Sequence, residues 1–218
     1  MMSCRFRTLS GSADADTPSL RRQQGASLVV SLLMLVAVLL LGISAAQIAL
    51  QGEKSSRNDR DRQIAFQAAE AALMDAEMDI EKSPDMGKSR SALFSENPVM
   101  ANFAAGCGAG ESNNNLGLCA TASPGAQPVW LLVDFTDADS STTKTVSFGK
   151  FTGQVLQTGK GSLPSKPPRY IIEAINYRAA GEEASVQSTF FYRITAMGFG
   201  TRETTQAVLQ SFYRKIDQ

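Results

Sequence analysis

Histidine is absent from this chain of 218 residues, and the formal charges of its side chains cancel. Because histidine is the commonest general base and metal ligand in proteins, its absence argues against a hydrolytic triad and against a zinc site. Lysine plus arginine and aspartate plus glutamate each number 21, so no overall basic field would attract nucleic acid. Neither a phosphate-binding loop nor an internal repeat is present. We therefore expect a non-enzymatic protein with no metal, no cofactor and no nucleic-acid partner.

Cysteine is scarce, and its three positions are informative. Cys4 lies near the N-terminus, whereas Cys107 and Cys119 lie in residues 85–128, a segment rich in Gly, Asn, Ser and Ala. Loss of a leader that contains Cys4 would leave one pair, and an even count outside the membrane is typical of an oxidising compartment. We predict a Cys107–Cys119 disulfide that closes a small loop. Two unrelated buried thiols are the alternative.

Charged residues are also absent between Arg22 and Glu53. The run from residue 26 to residue 50 is apolar and exceeds the roughly 20 residues that a helix needs to cross a bilayer core. A helical pattern then continues without proline to about Lys82, which predicts one helix of roughly 55 residues. We expect residues 26–52 to form its transmembrane half. The span is followed by basic residues that leave its orientation undecided by charge alone: Lys54, Arg57, Arg60 and Arg62.

Residues 1–25 are expected to form a leader, since arginines outnumber aspartates there and the composition cannot bury a core. A secretory signal peptide is the alternative, because residues 44–46 offer a small-x-small cleavage site after the apolar run. That run is longer than the roughly 7–15 residues usual for such a signal, which favours a retained anchor. The mature chain would begin at Ala26 behind a leader and at Gln47 behind a signal peptide. The leader and the cysteine pair together place the N-terminus in the cytoplasm.

The second half of the predicted helix, residues 53–84, has an amphipathic pattern. Apolar side chains recur at steps of three and four residues, which predicts one stripe that packs on the rest of the domain. Acidic residues between 70 and 81 are expected to lie mostly away from that stripe, and alanines permit a close approach of a sheet. Ser83–Pro84 should end the helix. The predicted packing face consists of Phe66, Ala69, Leu73, Ala76 and Ile80.

From residue 129 to residue 218 the period of the pattern changes to two, which predicts strands. Short connections between successive strands favour an antiparallel meander, one face of which the helix would cover. The fold class is therefore α+β, with a long helix packed on an antiparallel sheet. The turn Gly198–Gly200 is not a nucleotide fingerprint, because no helix follows it. The expected strands are residues 129–135, 145–151, 170–177, 185–197 and 204–216.

Several carboxylates in this C-terminal region could supply an acid pair for hydrolysis. They occur in turn-like or strand-edge segments, and nothing in the neighbouring residue types indicates a perturbed pKa. Ordinary solvated side chains are the better interpretation. The residues concerned are Asp134, Asp137, Asp139, Glu173, Glu182 and Glu183.

Three segments, in their order and spacing, resemble the PilX-type minor pilins of type IV pili. A glycine at the end of a leader would be weak support by itself, but the second segment is specific, and together the three span nearly the whole mature chain. The segments are QQGASLVV at residues 23–30, RDRQIAFQAAEAAL at residues 60–73, and YRITAMGFG at residues 192–200 followed by AVLQS at residues 207–211.

The resemblance implies a pilin-like fold and a route through the inner membrane. A prepilin peptidase would cut between Gly25 and Ala26 and methylate the new amine of Ala26. The subunit would wait in the inner membrane with its domain in the periplasm, and an inner-membrane assembly platform would add it to the fibre. It would join other minor pilins and a large tip adhesin, prime pilus assembly and lie at the pilus tip, where it would support twitching motility and adhesion.

One residue distinguishes this chain from the major pilins and supports the narrower resemblance to the PilX-type family. Most pilins have a glutamate where this chain has Val30, whereas the PilX-type family resembles this chain in lacking it. The minor pseudopilin that caps a type II secretion pseudopilus is similar in this respect, but it is a larger protein and is therefore the second interpretation.

Overall fold

A helix of 56 residues, α1, extends from Ala26 to Glu81 in the computed structural model. The model describes residues 26–178 and 189–216, and the chain forms two compact units, Met1–Gly52 and Glu53–Gln218. The long helix expected from the sequence is therefore confirmed. Residues 1–25, with the predicted leader, lie outside the described residues, as does the predicted start of the fourth strand at residue 185.

The end of α1 is held by groups from distant parts of the chain. The hydroxyl of Ser83 donates to the carbonyls of Phe151 at 2.6 Å and Asp85 at 3.0 Å, directly after the last helical turn. The ammonium of Lys215 donates to the carbonyls of Ile80 and Ser91 at 3.0 and 2.8 Å. The last carbonyls of a helix lack partners within the helix, so these bonds satisfy them. A cation at that end is also attracted by the partial negative charge of the helix dipole.

The second unit contains a five-stranded sheet, which two 3-10 turns, Ser91–Leu93 and Met100–Asn102, precede. The strands are β1, Leu118–Ala120; β2, Val146–Ser147; β3, Arg169–Tyr177; β4, Thr189–Phe199; and β5, Gln206–Tyr213. Their order in the sheet is β1-β3-β4-β5, with β2 paired to β3. β3, β4 and β5 form the expected antiparallel meander, whereas β1 pairs with β3 in parallel, so the sheet is mixed.

Two strands predicted between residues 129 and 151 are wrong in type or extent. Val129–Leu132 forms a short helix, α2, because the amides of Leu131 and Val133 donate to the carbonyls of Pro128 and Val129 rather than to a neighbouring strand. The strand predicted at residues 145–151 is reduced to the two residues of β2. It ends there because Gly149 adopts a positive φ of 76° and begins a turn.

The two faces of the sheet bury different clusters. Side chains of β3 and β4 that alternate along the strands, such as Tyr170, Ile172 and Ile194, pack with Ala72 and Ala76 of α1. The opposite face carries Ile171, which packs with the two cysteines and with α2. Successive side chains along a strand lie on opposite faces, so alternate residues of β3 contribute to the two cores.

The packing face of α1 includes most of the stripe expected from the sequence but is centred on smaller side chains. Ala69, Ala76 and Ile80 are fully buried, but Leu73 is only partly buried and Phe66 is 44% exposed. Three aspartates also lie on the buried face, and two of them, Asp75 and Asp79, were expected to lie away from the stripe. Together with three alanines they recur at steps of four and three residues: Asp61, Ala65, Ala68, Ala72, Asp75 and Asp79.

Small side chains decide this orientation. A Cβ atom added to Gly198 in β4 would lie 2.1 Å from the carbonyl oxygen of Ala65 and 2.3 Å from the amide nitrogen of Ala69. The strand and helix backbones are therefore in direct contact, which a phenylalanine between them would prevent. The alanines of α1 do permit the close approach of a sheet that their number predicted.

Candidate functional site

The apolar half of α1 is exposed along its whole length. Every residue from Ala26 to Gly52 is exposed, and within this helix a window of 18 residues with a mean hydropathy of 2.9 has none of its residues buried. By length and composition this is a candidate membrane span, and no other is found among the described residues. The hydroxyls of Ser31 and Ser44 donate to the carbonyls of Leu28 and Leu40, at 2.9 and 2.8 Å, so neither leaves a free donor on the apolar surface.

The structure describes only one of the two residues predicted to flank the processing site. Ala26 begins α1, whereas Gly25 lies outside the described residues. Val30 is 53% exposed on the first turns, and no ionisable side chain occurs from Ala26 to Gly52. Cleavage, methylation and the role of Val30 therefore stay predictions.

Asp61 attaches α1 to the turn between β4 and β5. Its carboxylate accepts hydrogen bonds from the amide and the hydroxyl of Thr201 at 2.5 and 2.7 Å, from the hydroxyl of Thr205 at 2.5 Å, and from Nε of Arg202 at 3.1 Å. Only 4% of Asp61 is exposed. Burial by itself raises the pKa of Asp61, but the hydrogen bonds from Thr205, Thr201 and Arg202 outweigh it and hold the pKa well below its usual range.

Gly200 leaves room for this carboxylate. A Cβ atom at Gly200 would lie 2.4 Å from Oδ1 of Asp61 and 2.9 Å from its backbone oxygen. The segment Gly198–Gly200, predicted as a simple turn, therefore ends β4 with two glycines that bring the sheet against α1. It carries no nucleotide-binding geometry, because a strand follows it.

Asp79 forms a buried ion pair with Arg90. Nε and Nη2 of Arg90 donate to the carboxylate at 3.0 and 2.7 Å, and the hydroxyl of Tyr170 donates to Oδ2 at 3.0 Å. The guanidinium also lies over the ring of Phe151, 3.7 Å from its centroid, and donates to the carbonyl of Leu116. A charged pair inside a protein is tolerated only when its remaining donors and acceptors are satisfied in this way.

Asp75 is the third buried carboxylate on the same face. It accepts hydrogen bonds from the amide of Gly149, at 2.8 Å, and from the hydroxyl of Thr152. Burial raises the pKa of Asp75, the bonds from Thr152 and Gly149 lower it, and the charge of Asp79 raises it, with a net increase. All three aspartates therefore connect α1 to turns and loops rather than to solvent.

The sequence pattern placed Asp75 and Asp79 away from the predicted packing face, because that face was defined by the largest apolar side chains. The signal that would have found them is the period of the small residues. Ala65, Ala68 and Ala72 recur at steps of three and four, and continuing the same steps in both directions reaches Asp61 and Asp75.

Cys107 and Cys119 form a disulfide across a sequence separation of 12 residues. Both are buried, at 6% and 0% exposure, in the cluster that also holds Val129 and Ile171. Cys119 lies in β1, so the bond ties the loop at Cys107 to the sheet. The disulfide predicted from the sequence is therefore present.

Of the carboxylates considered as a possible acid pair for hydrolysis, those that the structure describes do not form one: the three aspartates accept hydrogen bonds within turns, and Glu173 forms an ion pair. Asp134, Asp137 and Asp139 each accept a hydrogen bond from the backbone amide two residues later. Glu173 was predicted at a solvated strand edge, and this is wrong, because it is fully buried and bonded by two nitrogens of Arg193 on the neighbouring strand. Glu182 and Glu183 lie outside the described residues.

Within residues 26–178 and 189–216, no group of three or more metal-ligating side chains is found.

Two family profiles match the chain. The profile described as Type IV pilus assembly protein PilX C-term matches residues 107–215, and the profile described as PilX N-terminal matches residues 24–73. Neither a curated protein nor a solved structure matches it.

Proposed function

Because this chain belongs to the PilX family of type IV pilus assembly proteins, a family of structural pilus components, we propose that it is a minor pilin that primes pilus assembly and lies in the tip complex. In that complex it contacts other minor pilins and a large tip adhesin, and the assembled fibre supports twitching motility and adhesion. Before assembly it is held in the inner membrane, with the second unit in the periplasm.

The exposed apolar half of α1 is the observation that carries this proposal. Residues 26–52 bury nothing within their own chain, yet they form about 40 Å of helix at 1.5 Å per residue. An apolar surface of that length needs lipid or neighbouring helices around it. A pilin subunit meets both in turn, first in the membrane and then in the core of the fibre.

Processing by a prepilin peptidase fits the start of this segment. Gly25 precedes Ala26, the first residue of α1, so cleavage between them gives a chain that begins directly with the apolar helix. The peptidase then methylates the amine of Ala26. The disulfide between Cys107 and Cys119 agrees with a domain that matures in an oxidising compartment.

Val30 supports a position at the distal end of the fibre. An ionised carboxylate in a bilayer costs a few kcal/mol, which pilins with a glutamate recover by pairing it with the N-terminal amine of a neighbour already in the fibre. The first subunit to enter has no such neighbour, so its glutamate would stay unpaired. A valine at this position avoids that cost.

Counting of tagged subunits on sheared pili tests the tip assignment. We expect one or very few labels per fibre, at one end, in the parent strain. The variant Val30→Glu should be tolerated or mildly harmful, with no gain of label along the shaft. Val38→Glu, which places the same charge elsewhere in the apolar half, is the control for a general insertion defect. Many labels spread along the shaft of wild-type fibres would contradict the tip assignment, but they would not change the assignment of the chain to the PilX family.

A further inference from the structure

An open cleft of about 740 Å³ lies at the start of the second unit, between α1 and the turn after β4. Four of its lining residues are basic and one is acidic. None is aromatic, so the cleft has no surface on which a nucleic-acid base could stack. The lining residues are Lys54, Ser56, Arg57, Asn58, Arg60, Asp61, Thr201 and Arg202.

The acidic residue of the cleft does not neutralise its cations. Asp61 is committed to four hydrogen bonds, only one of which comes from a basic residue, Arg202. Arg202 also donates to the side-chain oxygen of Asn58 at 3.1 Å and keeps 63% of its side chain exposed. Its guanidinium is therefore oriented by the protein and remains accessible from water.

The other three cations are available to a ligand. Lys54 has no hydrogen-bond or ion-pair partner among the described residues, and Arg60 donates only to the hydroxyl of Ser162 at 3.1 Å. Arg57 pairs with Glu53, but both side chains are largely exposed, and such pairs contribute little. The cleft therefore presents an excess of positive charge with fork-shaped donors, which is the chemistry that recognises phosphate.

The position of these basic residues in the chain indicates that the phosphate near them belongs to a lipid headgroup. Lys54 follows Gly52, the last residue of the apolar half, by two residues, so their Cα atoms are at most about 7 Å apart in any conformation. Arg57 follows by five residues, at most about 18 Å. Lys and Arg side chains next to a span extend along its surface to the level of the headgroups.

We propose that this cleft binds the phosphate of an anionic lipid headgroup, of the phosphatidylglycerol class, in the membrane that holds residues 26–52. The inference rests on the proposed function, because it needs the subunit to be anchored in a membrane before assembly. The bound headgroup fixes the cleft side of α1 at the membrane surface. It is released when the subunit leaves the bilayer for the fibre.

The test is native mass spectrometry of the full-length mature chain, purified in detergent and titrated with phosphatidylglycerol or phosphatidylcholine. We expect at least tenfold tighter binding of phosphatidylglycerol. The triple variant Lys54→Gln, Arg57→Gln, Arg60→Gln should lose most of that preference. If each Lys or Arg contributes about fivefold at an anionic surface, the three residues together account for a preference of up to about a hundredfold. Glutamine keeps the helix propensity of the segment.

A matched control removes the same charge elsewhere. The triple variant Lys82→Gln, Lys88→Gln, Lys144→Gln changes three exposed lysines that do not line the cleft, and it should keep the preference. Circular dichroism of each variant confirms that the helix and sheet are retained. Equal preference in both triple variants contradicts the proposal.

Two further measurements distinguish a lipid site from a site for soluble phosphate, and failure of this inference from failure of the proposed function. Displacement of the lipid by millimolar inorganic phosphate or glycerol phosphate would show a site for soluble phosphate and overturn the lipid assignment. A chain that stays in membranes after an alkaline carbonate wash but shows no preference contradicts this inference alone. A chain released by that wash contradicts the membrane-anchored function as well.

Discussion

Asp61 is the residue through which α1 holds the turn after β4. Its four hydrogen bonds come from three residues of that turn, Thr201, Arg202 and Thr205, in the segment that Gly200 opens. A buried carboxylate that satisfies so many donors stabilises the folded unit only as long as it stays ionised and in place.

Asp61→Ala should lower the free energy of unfolding by about 1–3 kcal/mol, because it leaves partly buried donors of the turn without an acceptor. The measurement is urea unfolding of the mature full-length chain in detergent. Asp59→Ala is the matched control, since Asp59 is exposed two residues earlier and should change stability by less than about 0.5 kcal/mol. Equal effects of the two substitutions would contradict the anchoring role of Asp61.

Asp61 and Asp75 should give opposite pH dependences. The pKa of Asp61 is lower in the folded state, so its contribution is present above its unfolded pKa of about 4 and is lost as the pH falls below it. The pKa of Asp75 is higher in the folded state, so its contribution is present below that unfolded pKa and is lost as the pH rises through the folded pKa.

Paired unfolding curves of wild type, Asp61→Asn and Asp75→Asn between pH 3 and about pH 8 test this difference. Relative to wild type, Asp61→Asn should be most destabilising at neutral pH, whereas Asp75→Asn should be least destabilising there. Parallel pH profiles for the two variants would rule out the opposite shifts.

At the scale of elements, the contact between α1 and β4 decides the packing. The strand approaches the helix backbone at Gly198, where only hydrogen fits beside Ala65 and Ala69. The glycine is therefore required by the neighbouring element and not by its own backbone angles.

Gly198→Ala should destabilise the second unit by about 3 kcal/mol or more, or prevent its folding, because the added methyl would overlap helix backbone atoms. Thermal unfolding followed by circular dichroism measures the effect. Gly42→Ala is the control, since nothing lies within 4 Å of the position of its added Cβ atom. If Gly198→Ala unfolds at the wild-type temperature, the close helix–strand contact is wrong.

The disulfide belongs to the same scale, since it joins a loop to β1. In the chain-entropy model a closed loop of about 12 residues contributes roughly 3 kcal/mol. Cys119→Ser should therefore lower the amount of protein recovered from the periplasm, whereas Cys4→Ser should not, if the leader is removed. Mass mapping of non-reduced peptides should find Cys107 and Cys119 linked, and two free thiols would contradict the bond.

The strands that the sequence predicted well are the long ones. β3, β4 and β5 are each eight or more residues long, and their ends lie within three residues of the predicted ends, apart from the predicted start of β4, which lies outside the described residues. β1 was missed because its three residues, Leu118–Ala120, follow a glycine and owe their strand geometry to pairing with β3. No local pattern reports a partner that lies some 50 residues away.

The packing face was predicted only in part, for a different physical reason. Phe66 is the largest apolar side chain of its helical stretch, and a size-weighted pattern centres on it. The actual interface selects small side chains and buries Asp61, Asp75 and Asp79 between them, because the connecting loops supply their hydrogen bonds. The period of the small residues marks the buried face, but the donors come from residues far along the chain, so no helical period could show which groups bind these carboxylates.

At the scale of the molecule, one chain combines two units with different surroundings. The second unit buries its own core, with a helix on one face of the sheet and the disulfide cluster on the other. Residues 26–52 bury nothing and carry no charge, so they are adapted to lipid or to other helices. Both properties agree with membership of the PilX family of type IV pilus assembly proteins.

The mass of the mature N-terminal peptide, from protein isolated from membranes and from sheared pili, tests most directly whether this chain is processed as a pilin. We expect a chain that begins at Ala26 with one added methyl group, and no processed chain from the variant Gly25→Val, because a side chain next to the scissile bond would obstruct the peptidase. A chain that begins at Gln47 would contradict this expectation, since cleavage there removes most of the apolar half and leaves a secreted domain.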